Sequence, residues 1–216
     1  MNNPLAFAQT FDELPSTLKI FPLSNAVFLP GGYLPLNIFE PRYLNMVQDA
    51  MHSDQLIGMI QPRENAEHSD LYDIGCAGRV IRYEETEDAR IQILLAGLCR
   101  FAVTTELATT RGYRLVQPDW SKFTDDFNAQ LQVDAESLLS FRGVLRSYLE
   151  QNQLKVDWQH LEKIDTQDMI NSLFNALPIS SQDKQILIET DTLANRVVAF
   201  TAILKGVIEE ASPKHH

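Results

Sequence analysis

Apolar positions recur along the chain with two different periods, and the period changes once. In Arg90–Leu95, Ile91, Ile93 and Leu95 share one parity while Arg90 and Gln92 take the other, the alternation of a half-buried strand. After Ala96-Gly97 the alternation resumes: Cys99, Phe101 and Val103 stand opposite Arg100, Ala102 and Thr104, which points Cys99 into the core. Gly75–Tyr83 and Arg90–Leu95 flank the acidic run Glu84-Glu85-Thr86-Glu87-Asp88, which reads as a solvated hairpin tip. The run lacks the spaced oxygen ligands and the glycine of a calcium loop. Leu34, Leu36 and Ile38 form a further strand. It runs into a helix opened by Pro41, with Leu44, Val47 and Met51 at helical spacing.

Beyond residue 118 the period becomes helical. Leu138, Phe141, Leu145, Tyr148 and Leu149 trace one face of a long helix. Asp165 or Thr166 caps a helix carrying Ile170, Leu173 and Phe174, and Pro178 ends it. Ser180 or Ser181 caps a short helix with Ile186 and Leu187 on its apolar side. A last helix from about Thr192 carries Leu193, Val197, Phe200, Leu204 and Val207 or Ile208. Glycine and proline follow the same division: 15 of the 19 lie in residues 1–118. These residues punctuate strands and interrupt helices. The expected fold is therefore α+β, a β-rich domain over residues 1–118 followed by an α-helical bundle over residues 119–216. Net charge does not separate the parts, at −5 (9 − 14) before residue 119 and −6 (9 − 15) after it.

Composition narrows the class of function. The chain has 216 residues, of which 44% are hydrophobic and 22% charged, the values of an ordinary globular protein. Folded as one unit it would bury roughly 70% of its unfolded surface, enough for a core without disulfides or metal. Its 18 Lys and Arg against 29 Asp and Glu leave a net charge of −11. That balance argues against a nucleic-acid partner, because phosphate neutralisation needs clustered cations. No Lys or Arg precedes Lys19, no apolar leader follows, and the uncharged stretches fall short of the roughly 18–20 residues of a membrane span. Cys76 and Cys99 lie outside any CxxC pair and read as free thiols of a reducing compartment. The expected location is cytoplasmic, with no membrane partner.

Catalytic signatures are missing. There is no G-x-x-x-x-G-K-[ST] phosphate cradle, no G-x-S-x-G elbow and no H-E-x-x-H zinc helix. No two of the five histidines stand four residues apart. His52 falls near the end of the first helix, where a cation complements the dipole, and His215-His216 read as a frayed tail. An inward Cys99 disfavours its thiolate. No catalytic residue, metal ligand or cofactor is assigned.

The most informative segment is Leu34–Val47, L-P-L-N-I-F-E-P-R-Y-L-N-M-V. Glu40 complements the positive end of the helix opened by Pro41, and Arg42 is placed to pair with Glu40 and fix the strand-to-helix corner. Taken with Phe21-Pro22-Leu23, Leu29-Pro30-Gly31-Gly32 and Ala96-Gly97-Leu98-Cys99-Arg100-Phe101, this segment resembles the stand-alone relatives of the Lon protease N-terminal domain. The later Ala176-Leu177-Pro178, Asp183-Lys184-Gln185 and Leu193-Ala194-Asn195-Arg196 resemble that domain's helical part, so the likeness covers roughly residues 17–210. It implies a PUA-like pseudo-barrel followed by a helical bundle. The ATPase and Ser-Lys protease modules of the full enzyme have no counterpart in these residues, so the likeness implies substrate recognition without catalysis.

The expected role is a non-catalytic module that binds unfolded or flexible protein segments, with a protease or chaperone as a further partner. Segments would dock at the junction of the two domains or add a strand to an open sheet edge. The candidate contacts are Tyr33, Phe39 and Tyr43, with Arg42 orienting backbone or carboxylate. Aromatic residues at a strand–helix corner also commonly pack inward, which is the structural alternative for each. Two other classes stay open: a small hydrolase or ligand-processing enzyme using the interdomain cleft, and a PUA-like RNA binder, against which the charge of −11 weighs.

Overall fold

The computed structural model describes residues 10–24, 26–63, 70–127, 133–161 and 163–211. The His215-His216 tail lies outside them. The chain divides into two compact units, Met1–Asn128 and Ala129–His216.

Six strands build the first unit: β1 (Leu18–Pro22), β2 (Tyr33–Ile38), β3 (Leu56–Ile60), β4 (Ile74–Glu85), β5 (Ile91–Leu107) and β6 (Arg114–Asp119). Their order is β2-β5-β4-β3-β1-β6. β6 then returns to the C-terminal half of β5, from Ala102↔Asp119 to Leu107↔Leu115, and closes a five-stranded barrel. The pair β1–β3 is parallel, Ile20 facing Gly58 and Pro22 facing Ile60, because helix α1 (Pro41–Met51) and the segment before it carry the chain across. The barrel core gathers Leu18, Ile20, Leu56, Ile60, Ala77, Cys99, Phe101 and Val116, and Trp120 and Phe123 close it. Those last two belong to the segment after β6, so the barrel unit extends past the point where glycine and proline thin out. Its tail is fastened by a buried ion pair. The Arg100 backbone N–H and guanidinium donate to the Asp126 carboxylate at 2.8–3.1 Å, with side-chain exposures of 2% and 5%.

One 17-residue strand, β5, runs through Ala96-Gly97 and joins the two alternating stretches, with a register shift against β4 at Ala77/Gly78. Gly97 is present for space. A Cβ there would lie 2.3 Å from the Leu29 carbonyl oxygen and 2.8 Å from the Phe28 ring, and its strand partner Gly78 sits against the same ring. The Leu29–Gly32 turn is laid onto this gap by two backbone bonds, Gly31 N–H to the Gly97 carbonyl (2.9 Å) and Gly97 N–H to the Gly32 carbonyl (2.8 Å). The acidic run is the β4–β5 turn, as its flanking strands require.

Beyond the barrel, β2, the first half of β5 and the second half of β4 continue as a three-stranded wing. β2 pairs from Tyr33↔Ala96 to Ile38↔Ile91, and among the described residues its other edge is unpaired. Helix α1 starts with Pro41 at its first position and buries Tyr43, Met46, Val47 and Ala50 against β1 and β3. Leu44 and Met51, expected on that face, are only half-buried. His52 ends the helix, its Nδ1 donating to the Gln48 carbonyl at 2.7 Å.

The second unit is helical. α2 (Ala135–Gln151) is capped by Asp134, α4 (Thr166–Ala176) by Asp165 and α5 (Ser181–Glu189) by Ser180, each side chain accepting a backbone N–H of the first turn. α3 (Trp158–Leu161) is a single turn, and α6 (Leu193–Ala211) is the longest. α2 and α6 pack side by side in parallel, with contacts at Phe141–Phe200 (rings 5.6 Å apart) and from Gln151 to the Ile208 carbonyl. Ile186 departs from expectation: it is exposed, and Leu187 and Ile188 take the inward positions of α5. The buried Arg196 explains the Leu193–Arg196 string. Its guanidinium donates to the Leu187 and Thr190 carbonyls and so closes the C-terminal end of α5.

Candidate functional site

The four residues singled out in the sequence fall into two neighbouring surfaces of the barrel unit. Tyr33 and Phe39 belong to the wing. Tyr33 heads β2 and is 44% exposed; Phe39 follows the strand's last residue and is 63% exposed. They point outward because strand parity dictates it: Leu34, Leu36 and Ile38 take the inner face, leaving Tyr33, Pro35 and Asn37 outside. On that outer face Tyr33 is in register with Ala96 and Arg79, and Pro35 with Leu94 and Arg82. Ile81 sits at the register shift between Val80 and Arg82 and is 41% exposed. Tyr33, Phe39 and Ile81 are the large hydrophobic side chains exposed among the described residues of this unit, and all three lie on one wing. The Arg90 guanidinium stands 5.8 Å from the Phe39 ring, placing Phe39 beside the hairpin tip.

Arg42 and Tyr43 line a cavity of about 240 Å³ together with Pro22, Pro62, Leu71, Gly112, Tyr113 and Arg114. Tyr43 turns inward at the helix start and stacks on Phe21, ring centroids 4.1 Å apart. The Arg42 guanidinium lies 4.6 Å over the Tyr43 ring and donates from Nε and Nη2 to Oε2 of Glu40 at 3.0 and 2.8 Å. Glu40 thus serves Arg42 and makes no side-chain cap of its own. Gly112, with φ of +83°, brings the opposite wall close; a Cβ there would lie 3.3 Å from the Arg42 Cβ. Arg114 is fixed on both Glu106 oxygens, at 2.8 and 2.6 Å.

A carboxylate network braces the wall. Arg111 donates to both oxygens of Asp49 at 2.9 Å, and the Tyr113 hydroxyl donates to Oδ2 at 2.8 Å. Burial opposes ionisation of Asp49, but the bonds from Arg111 and Tyr113 outweigh it and hold the carboxyl below its ordinary value. Burial first, and then its bond to Asp49, pushes Tyr113 up to about 12. Burial also raises Tyr43. Burial drives the Cys99 thiol upward as well, and Cys99 lies in the barrel core away from this cavity. Every one of these shifts moves its group away from titration near pH 7. Among the described residues no group of His, Cys, Asp and Glu could hold a metal ion, and no helix is long and apolar enough to cross a membrane.

Pro62, Leu71, Tyr113 and Arg114 carry no motif that marks them, since tertiary structure alone brings them to Tyr43. The strings that stand out in the sequence are largely structural. Phe21 supports Tyr43, and Leu29–Gly32 seats on Gly97.

Comparison with known proteins accords with this architecture. The family model of the substrate-binding domain of the ATP-dependent protease La (Lon) matches residues 17–206. The chain is 29% identical over 144 residues to Lon protease 2 of Myxococcus xanthus, covering 64% of this chain and 17% of that one. It is 25% identical over 212 residues to the Lon protease of Desulfosudis oleivorans, covering 93% of this chain and 25% of that one. The chain therefore spans a quarter or less of these relatives. Its fold is similar to the crystal structure of a Lon N-terminal domain protein from Xanthomonas campestris, with TM-score 0.66, 21% identity and coverage of 87% of this chain and 98% of that one. It is likewise similar to the N-terminal domain of the Mycobacterium avium complex Lon protease, with TM-score 0.64, 12% identity and coverage of 88% and 98%.

Proposed function

Because the chain belongs to the family of the Lon protease substrate-binding domain, we propose that it is a non-catalytic module that binds extended apolar segments of unfolded or flexible polypeptides. The observation that carries this reading is the concentration of the barrel unit's exposed bulky side chains, Tyr33, Phe39 and Ile81, on one wing whose edge strand β2 is unpaired among the described residues. An edge strand offers backbone donors and acceptors to an incoming chain, and exposed aromatics beside it supply apolar contact. Arg42 and Tyr43 are the second and third residues of α1, the helix that follows the wing's edge strand. The role extends to presenting segments to a separate protease or chaperone in the cytoplasm, the compartment favoured by two free, buried cysteines.

The hydrolase reading draws less support, since Asp49, Tyr43, Tyr113 and Cys99 are all shifted away from neutral pH. An RNA-binding role draws less still, because the net charge of −11 repels phosphate.

The test is fluorescence anisotropy with a labelled, reduced and alkylated α-lactalbumin, which cannot fold. The chain should bind it saturably, and Tyr33→Ser with Phe39→Ser should weaken binding at least tenfold while leaving the circular dichroism spectrum and Tm unchanged. A stably folded double variant with undiminished affinity would remove the wing from the binding surface.

A further inference from the structure

The cavity beside Tyr43 combines apolar walls with unmet hydrogen-bond donors. Pro22, Pro62 and Leu71 supply aliphatic surface, and its ionisable lining is two guanidiniums and two phenols, with no carboxylate among the described lining residues. Arg42 commits two N–H groups to a single oxygen of Glu40 and has no other hydrogen-bond partner among the described residues. The Tyr43 hydroxyl has none at all among them. Arg114, held by Glu106, stands on the far side; the charges of Arg42 and Arg114 act on the Tyr43 phenol, opposed by that of Glu40.

We propose that this cavity captures the C-terminal residue of a polypeptide, its α-carboxylate on Arg42 and the Tyr43 hydroxyl and its apolar side chain against Pro22, Pro62 and Leu71. The inference rests on the reading that the chain binds polypeptide segments, and it names which part of the segment is recognised. An ionised carboxylate is acceptor-only and matches a site whose free side-chain groups are donors. Guanidinium–carboxylate bonds are also among the strong hydrogen bonds available to proteins. A volume of about 240 Å³ lies below the roughly 300–1,000 Å³ of sites for drug-sized ligands and suits one residue rather than a cofactor. The terminal residue is the one place in a polypeptide where a carboxylate and an apolar side chain share a single Cα. An internal Glu or Asp brings the charge without the apolar side chain. A chain of net charge −11 repels carboxylates in general, so the local pair of arginines must supply the attraction, and binding will weaken with salt.

The test compares three short peptides labelled at the N-terminus, by anisotropy on the whole chain at low ionic strength. One ends in Phe-Leu with a free carboxylate, one is its C-terminal amide, and one is the amide with Glu before the last residue. The free acid is expected to bind about tenfold tighter than the amide, the scale of one charge-assisted bond at a half-exposed rim. The Glu-containing amide should bind like the plain amide. Arg42→Gln and Tyr43→Phe should each bring the affinity for the acid close to that for the amide. Arg142→Gln, the same charge change on α2 of the helical unit, should not close that gap. Equal binding of acid and amide to the unaltered chain would overturn the inference, and so would a Glu-containing amide as tight as the acid. If unfolded α-lactalbumin still binds in that case, the polypeptide-binding reading stands and only terminal capture falls. If neither it nor any peptide binds, the functional reading itself fails.

Discussion

Replacing Asp126 with alanine takes the buried carboxylate from the Arg100 guanidinium inside the barrel unit, and should cost about 3–5 kcal/mol. The geometry sets that scale. Asp126 accepts the Arg100 backbone N–H at 2.8 Å, Nε at 3.1 Å and Nη2 at 2.8 Å, and neither side chain has more than 5% of its surface exposed. Two unit charges about 4 Å apart attract by roughly 4 kcal/mol at an effective dielectric constant near 20, and solvent cannot replace the lost partner at this burial. Against the roughly 5–15 kcal/mol of a typical domain the loss is large. Urea titration followed by Trp120 fluorescence measures it, because Trp120 packs on Phe101 in the same core. A Trp158→Phe background removes the fluorescence of the helical unit. With a slope of about 1–3 kcal/mol per molar urea, the midpoint should fall by at least about 1 M. The paired replacement Arg100→Met with Asp126→Leu should recover most of the loss, since it leaves no buried charge. A loss below about 1 kcal/mol for Asp126→Ala, or a double variant less stable than the single one, would refute the reasoning.

Gly97→Ala should destabilise the barrel unit by about 2 kcal/mol or more, because the nearest obstacle, the Leu29 carbonyl at 2.3 Å, is backbone that cannot turn aside. Gly143→Ala should instead stabilise the helical unit by about 0.5–1 kcal/mol, since it lies within α2 with nothing inside 4 Å of an added Cβ; both are read from urea midpoints. Ser180→Ala should cost about 1 kcal/mol in thermal unfolding of the helical unit, from loss of the bond to the Asp183 N–H. Ultraviolet difference titration should find Tyr113 ionising near 12. Its folded pKa lies above the unfolded value of about 10, so its contribution to stability is complete below pH 10 and lost as pH rises through 12. Tyr113→Phe should move the Asp49 carboxyl back toward its ordinary value in an NMR titration. Asp49 is depressed in the fold, so its contribution is present above the unfolded carboxylate pKa and lost as pH falls through the folded one.

The fold was legible to different depths in different places. Parity in Ile91–Leu95 and Cys99–Phe101 placed those side chains inward, and the structure buries all five of Ile91, Ile93, Leu95, Cys99 and Phe101. Period alone did not give the role of Gly97, because a glycine that ends a strand and one that admits another backbone look the same in one dimension. Arg100 was assigned to the outer face by the same parity, yet it is buried, for its partner Asp126 comes from a segment 26 residues away. At the site, Arg42 pairs with Glu40 as local spacing suggested, and parity put Tyr33 on the outer face. The division of four aromatic and cationic candidates into a wing and a cavity was not legible, since Tyr43 turns inward only because Phe21 of β1 lies beneath it.

By itself the amino-acid sequence determined the β-then-α order, helix caps narrowed to Asp165 or Thr166 and to Ser180 or Ser181, the hairpin tip and the family of the chain. Each of these rests on interactions within a few residues or on a string that survives as a string. Only the tertiary structure decided that β6 returns to β5 and closes the barrel, that Phe28 occupies the gap between Gly78 and Gly97, and that Tyr113 and Arg114 meet Arg42 and Tyr43 around one cavity. Those contacts join residues tens of positions apart. Their energy depends on distance in space, and periodicity along the chain carries no record of it.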